Sequence, residues 1–290
     1  MERSMQQPIH RYNMRKKDDP RTPEEKRKAK KTMDFVLEKL GGAPWEEKPL
    51  VCKRHGMYDA LETADGWTSC PECAREHEEQ KAVEDMERNR ALAKAERIQH
   101  FFGTRPLPLR FRNASLANYR PHNDTQKQAL DLAQALADRV AVEPCGALNL
   151  ILLGSVGMGK THLGYALYRN ARQARRSAYL DTVHGLMERF KASYSHRTTE
   201  TPKELLEHLI EVDLLVLDEV GKSAQTDHEG VTLHGIIDRR WANSLPIVIL
   251  SNTTFETLED AVGGSPAVSR LLSNGDVLQV KGEDYRFLQG

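Results

Sequence analysis

No run in this chain of 290 residues approaches the roughly 18 consecutive apolar residues that a membrane span needs, and the N-terminus lacks the apolar core of a signal peptide. A cytoplasmic protein is expected. Net charge is missing too: 42 basic residues balance 42 acidic ones, so total charge singles out no class of partner. Cysteine is scarce. Of the four present, three fall within 22 positions, which excludes a disulfide scaffold and points to metal.

What is present is unevenly placed. Residues 1–31 carry eleven Lys/Arg against five Asp/Glu, a local excess of six positive charges. That suits a solvated tail or an arm that touches an acidic surface or nucleic acid, and composition leaves both readings open. The length fits two or three units. Along the chain we place a basic flexible arm at 1–21, an adaptor with a Cys/His module at 22–75, a charged linker helix at 76–103 and a nucleotide-binding domain at 104–290.

Within the adaptor, Thr22-Pro23-Glu24-Glu25 reads as a helix cap followed by proline and acidic residues in the first turn. Ala29, Met33, Val36, Leu37 and Leu40 then recur at helical spacing until Gly41-Gly42. The apolar stripe either packs on its own module or docks on a larger partner. Next come Cys52-x2-His55 and Cys70-x2-Cys73, 14 residues apart, with turn residues Gly56, Gly66 and Pro71. Two such pairs give four donors for a tetrahedral Cys3His zinc site, structural because every position is filled by protein. Cys145 stands apart and reads as a small buried hydrophobe. Residues 74–99 are nearly all charge and alanine, the composition of an exposed helix, and Arg105-Pro-Leu-Pro closes it.

The most specific signal is Gly154-Ser155-Val156-Gly157-Met158-Gly159-Lys160-Thr161, the pattern G-x-x-x-x-G-K-[ST] directly after the apolar run 148–153. Its glycines let backbone N–H groups converge on phosphate oxygens, Lys160 reaches the β and γ phosphates, and the Thr161 hydroxyl suits Mg²⁺. With His162 these residues form the expected ATP-binding set. Helix 123–140 precedes the loop. Strands at 177–181, 213–218 and 246–251 then alternate with helices at 160–174, 182–194, 202–210 and 229–243, and a final pair lies around 277–281. Apolar runs such as Leu214–Leu217 do not alternate, so the sheet is expected to be mostly parallel and covered on both faces, an α/β architecture. Asp218-Glu219 ends one such strand, 58 positions after Lys160. Asp218 suits Mg²⁺ and Glu219 the general base. Asn252, after the next strand, can orient the attacking water or form a plain Asx turn.

The string Leu109-Arg-Phe-Arg-Asn-Ala-Ser-Leu-Ala-Asn-Tyr-Arg120, the phosphate loop, Asp213-Leu-Leu-Val-Leu-Asp-Glu-Val-Gly221, Ile237-Asp-Arg-Arg240, Leu250-Ser-Asn252 and Arg270 together resemble the DnaC family of AAA+ helicase loaders, over roughly residues 105–290. The resemblance implies an AAA+ P-loop NTPase core that hydrolyses ATP, assembles beside like subunits, contacts single-stranded DNA and delivers a DnaB-type hexameric helicase onto it. It further implies that Arg270 is an arginine finger and Arg286 a second sensor, although the family often has Asp where this chain has Ser269. With four residues following Arg286, no extended helical lid is expected. Phe190 and the segment 222–228 fall where the family faces DNA; Phe190 is equally readable as core beside Leu186 and Met187. IstB-type ATPases of transposition share the motif set and are the rival. The Cys/His module favours the loader. A pure adaptor with structural nucleotide is opposed by the intact Lys160, Thr161, Asp218, Glu219 and Arg270.

Overall fold

The computed structural model describes Arg27 and residues 47–63, 66–103, 107–142, 148–194, 200–222 and 227–282. The basic arm, the 23–40 helix apart from Arg27, Cys145 and Arg286 lie outside the described residues. Two compact units divide the chain, residues 1–85 and 86–290.

In the first unit, β1 (Glu47–Cys52) pairs antiparallel with β2 (Gly56–Thr63), and β2 with the two-residue β3 (Gly66–Trp67). These strands are absent from the sequence expectation, because a proline and charged residues break any alternation in β1. Gly56 turns the hairpin at φ +82°, a conformation that disfavours a Cβ. Helix α1 (Pro71–Phe102) opens on proline, whose missing N–H costs nothing in a first turn. It therefore starts inside the second Cys pair, earlier than the expected linker at 76–103. It is also not exposed throughout: Ile98 is fully buried and Phe101 and Phe102 pack with it.

The second unit holds a five-stranded sheet, β4 (Asn149–Leu153), β5 (Ala178–Thr182), β6 (Leu214–Val220), β7 (Ile247–Ser251) and β8 (Gly275–Gln279), in the order β5-β6-β7-β4-β8. Every pairing is parallel. The unbroken apolar runs divide between two cores by the period of two along a strand. Leu150, Leu152, Leu214, Val216, Val248 and Leu250 face α2 (Asp124–Ala141) and α3 (Lys160–Gln173). Ile151, Leu153, Leu215, Leu217, Ile247 and Ile249 share the other core with α4 (Val183–Ser193), α5 (Pro202–Glu211), α6 (Asp227–Ala242), α7 (Phe255–Val262) and α8 (Ser265–Ser273). The short helices α7 and α8 were not expected from the sequence; at eight and nine residues each they offer barely two turns of periodicity.

Two buried polar side chains lock the frame. Asn149 accepts from the Ile247 N–H and donates to the Leu271 carbonyl, joining β4, β7 and α8. Arg240, fully buried, donates to the carbonyls of Leu209, Val212 and Pro246 at 2.8, 2.7 and 2.6 Å. It thereby satisfies carbonyls at the C-terminal end of α5 that the helix leaves without partners. No described helix is long and apolar enough to cross a membrane.

Candidate nucleotide site and metal cluster

The phosphate loop joins β4 to α3. Gly154 stands at φ +137° with the Val280 carbonyl where a Cβ would be, and Gly159 caps α3 at φ +86° against the Tyr119 ring. Only glycine fits either place. The amide groups that open α3 therefore stay clear for an anion at its positive end. Lys160 is buried and donates to the carbonyls of its own loop, Gly154 at 2.6 Å and Ser155 at 2.8 Å. Burial lowers its pKa to about 8, against the opposing pull of Asp218.

Strands β4 and β6 flank β7, so their carboxyl ends open on one edge of the sheet. There the Thr161 hydroxyl donates to Asp218 Oδ2 at 2.9 Å. Burial raises the Asp218 pKa, while the Thr161 hydroxyl and the Glu219 N–H, 2.7 Å from Oδ1, act in the opposite direction. Paired hard oxygens of this kind suit Mg²⁺. The register of β6 against β7 shifts between Leu217 and Val220, and Glu219 takes φ +57°. This left-handed backbone at a non-glycine residue is a strain of the kind that clusters at functional sites. It was not legible from the apolar run before it. Glu219 is half-exposed and ion-pairs with Lys222 at 2.6 Å. Ser251 ties β7 to β6 by donating to the Val220 carbonyl at 2.5 Å and accepts from the Thr253 N–H, so Asn252 is exposed at the same edge.

Together these groups line a cavity of about 380 Å³ that includes Gly157, Gly159, Lys160, Thr161, Asp218, Glu219 and Asn252, a volume within the range of small-molecule sites. On its far side only His162 was anticipated. A short helical turn, Leu116–Asn118, brings up Tyr119, whose hydroxyl donates to the Met158 carbonyl at 3.2 Å. The His162 Nε2–H faces two acceptors, the Ser115 carbonyl at 3.2 Å and Asn118 Oδ1 at 3.0 Å, which assigns its tautomer. Phe111 and Arg110 complete this wall.

Other expected residues lie elsewhere. Arg270, on α8, is engaged by α6 rather than by its own phosphate loop, with its Nε 2.9 Å from Asp238 Oδ1. Phe190 is 5% exposed and belongs to the core, so a base-stacking platform there is excluded. Of the 222–228 segment, residues 223–226 lie outside the described residues.

The Cys/His donors converge as their spacing implies. Cys52 ends β1 and His55 lies in the turn to β2, Cys70 immediately precedes α1 and Cys73 lies in its first turn, and one donor atom from each lies within 4.8 Å of all the others. The Cys52–Cys73 Sγ separation is 3.5 Å, and His55 Nδ1 stands 3.7, 3.7 and 3.3 Å from Cys52, Cys70 and Cys73. A tetrahedral ion with metal–sulfur bonds of about 2.3 Å sets its donors about 3.5 to 3.8 Å apart, so the four fit zinc. His55 Nε2 is 3.1 Å from Glu76 Oε1, which is itself held by Arg54, the outer carboxylate that typically orients a ligating imidazole. The Arg54 and His55 amides lower the Cys52 thiol to about 6, whereas the neighbouring Cys52 sulfur raises Cys73 to about 11.

Fold and site define an AAA+ P-loop ATPase. The sequence pattern of the family described as IstB-like ATP binding protein matches residues 83–289, and the chain belongs to that family. It is 33% identical over 198 residues to the uncharacterized protein YdaV of Escherichia coli K12, covering 68% of this chain and 76% of that one. It is 30% identical over 178 residues to the replicative helicase loader DnaC of Escherichia coli K12, covering 61% and 70%. Its fold is similar to the crystal structure of the DnaC helicase loader (TM-score 0.53, 24% identity, 60% of this chain and all of that one). It is also similar to DnaI (TM-score 0.52, 22% identity, 62% and 94%).

Proposed function

We propose that this protein is an ATP-dependent loader that binds a DnaB-type hexameric replicative helicase and delivers it onto single-stranded DNA. The observation that carries this reading is the meeting of Thr161 and Asp218 at 2.9 Å beside Glu219, whose backbone is left-handed. Such a site is built to hydrolyse nucleotide, which a static adaptor does not need. Similarity to DnaC over 70% of that protein supports the replication role.

In this reading the amides of Gly154 to Thr161 and the Lys160 ammonium cradle the phosphates, and His162 with Tyr119 borders the rest of the nucleotide. Thr161 and Asp218 hold Mg²⁺, which when bound neutralises charge on the phosphate oxygens. Glu219 accepts the proton of the attacking water and Asn252 orients that water. Arg270 reaches the γ-phosphate held by a neighbouring copy in an assembly, hexameric on the helicase, and Arg286 is the second sensor, counted with the phosphate loop among the nucleotide-binding residues. Residues 22–75, stapled by zinc on Cys52, His55, Cys70 and Cys73, grip the helicase, and 76–103 link them to the ATPase domain at 104–290. ATP then acts as a timer: its bound state holds helicase and DNA, and hydrolysis releases the loader.

The test is helicase unwinding on a single-stranded circle covered with single-strand binding protein, with and without this chain and ATP. Unwinding that depends on both, and is abolished by Lys160→Ala, is expected. Unwinding unaffected by the chain overturns the reading. The family match to IstB-like proteins favours one rival, a DNA-targeting ATPase of transposition. Tight duplex binding without helicase association would select it.

A further inference from the structure

We propose that Asp238, His234 and Trp241 form a cradle that pre-sets the Arg270 guanidinium, with Nη2 left to meet the γ-phosphate bound by a second copy of this chain. The proposal rests on the reading of Arg270 as a finger given above. The three residues follow one another at i, i+4 and i+7 on α6, hence on one helical face. Asp238 Oδ1 takes Nε at 2.9 Å and His234 Nε2 takes Nη1 at 3.2 Å. The Trp241 ring lies 5.9 Å below the guanidinium carbon. Nη2 has no partner among the described residues, and the side chain keeps 29% of its exposure.

Each wall of the cradle is itself fixed. His234 Nδ1–H donates to the Gly263 carbonyl at 3.3 Å, which leaves Nε2 as the lone-pair nitrogen that Arg270 needs. Gly263 caps α7 at φ +88°, and a Cβ there would run into the Gly230 carbonyl, so the helix end that sets this tautomer requires glycine. Trp241 Nε1 donates to Ser273 Oγ at 2.8 Å, and Ser273 Oγ donates to the Arg270 carbonyl at 2.9 Å, closing the ring back onto α8. A plain surface ion pair would need none of this second tier, and a free arginine would have to surrender its rotamer entropy each time it met a phosphate. Holding Nε and Nη1 while sparing Nη2 removes that penalty and fixes the direction of approach. These are positioning residues; Arg270 alone touches the nucleotide.

The test is subunit complementation in the full chain. Asp238→Ala should lower kcat roughly tenfold to a hundredfold with KM for ATP within about twofold, and Asp238→Asn, which keeps an acceptor oxygen, should lose less. Mixed with Lys160→Ala, which has a dead site and an intact finger, Asp238→Ala should regain turnover well above the sum of the separate proteins, as Arg270→Ala should. His234→Ala should complement in the same way. A fold defect would leave no working site to rescue. If Arg270→Ala is rescued and neither Asp238→Ala nor His234→Ala is, or if both turn over like the parent, the cradle is wrong. If Arg270→Ala itself is not rescued by Lys160→Ala, the finger reading fails first.

Discussion

Between residues 47 and 70 the buried side chains among the described residues are Ala60, Leu61 and Cys70, whereas β4 and β7 bury all five of their residues. Ordering a residue costs about 1–2 kcal/mol of backbone entropy, and burying an apolar side chain returns about 1.5–3 kcal/mol. The sheet of the second unit can meet that cost from packing. The hairpin module cannot, and its four converging donors stand where a core would be. With zinc on those donors, as proposed above, one region is held by area and the other by a cross-link, and each should fail differently.

The largest contrast should follow metal removal. Zinc in such modules carries about 10–16 kcal/mol of apparent folding free energy, so Cys73→Ser or chelation should release the amides of β1 and β2 to hydrogen exchange and leave those of β4, β6 and β7 protected. Hairpin amides that stay protected without zinc would break the comparison. Next comes the second unit's own weak point. Arg240→Ala strands the Leu209, Val212 and Pro246 carbonyls in the core. It should cost about 3–5 kcal/mol in chemical denaturation of the ATPase unit while zinc content stays unchanged. A change within 1 kcal/mol would mean water replaces the guanidinium.

Chemistry gives smaller contrasts. Glu219→Gln should lower ATP turnover on the order of 10²- to 10³-fold with nucleotide affinity retained, read by steady-state and equilibrium measurements together. Unchanged turnover would remove Glu219 as the base. The smallest effect is in pH. Lys160 binds phosphate as the ammonium, and its pKa is lowered to about 8. ATP affinity should therefore be full below about pH 8 and fall as pH rises through it, about tenfold per unit, with proton uptake on binding. Calorimetry from pH 7 to 9 that finds flat affinity would contradict this. Zinc content should not change over the same range.

The same contrast explains what could be read in advance. Strands β4, β6 and β7 were legible because a strand covered on both faces must be apolar at every position, and the phosphate loop because anion geometry demands its glycines. The convergence of Cys52, His55, Cys70 and Cys73 was legible from spacing alone. The hairpin that carries two of them was not, since a metal-held strand needs no apolar pattern. Three features of the second unit were hidden because neighbours decide them. The left-handed backbone of Glu219 lies in a register shift against β7, the buried role of Arg240 shows only once the end of α5 is placed over it, and Phe190 is settled as core by its surroundings. The Arg270 cradle depends on α7 and α8, whose two-turn patterns are too short to stand out.

The proposed coupling of an ATP timer to a helicase grip is tested most directly by native mass spectrometry of the full chain with a DnaB-type hexameric helicase. An ATP-dependent complex with one zinc per chain, retained by Glu219→Gln and lost on Cys73→Ser, is the expected result. A helicase mass unchanged by the protein, with and without ATP, would contradict it.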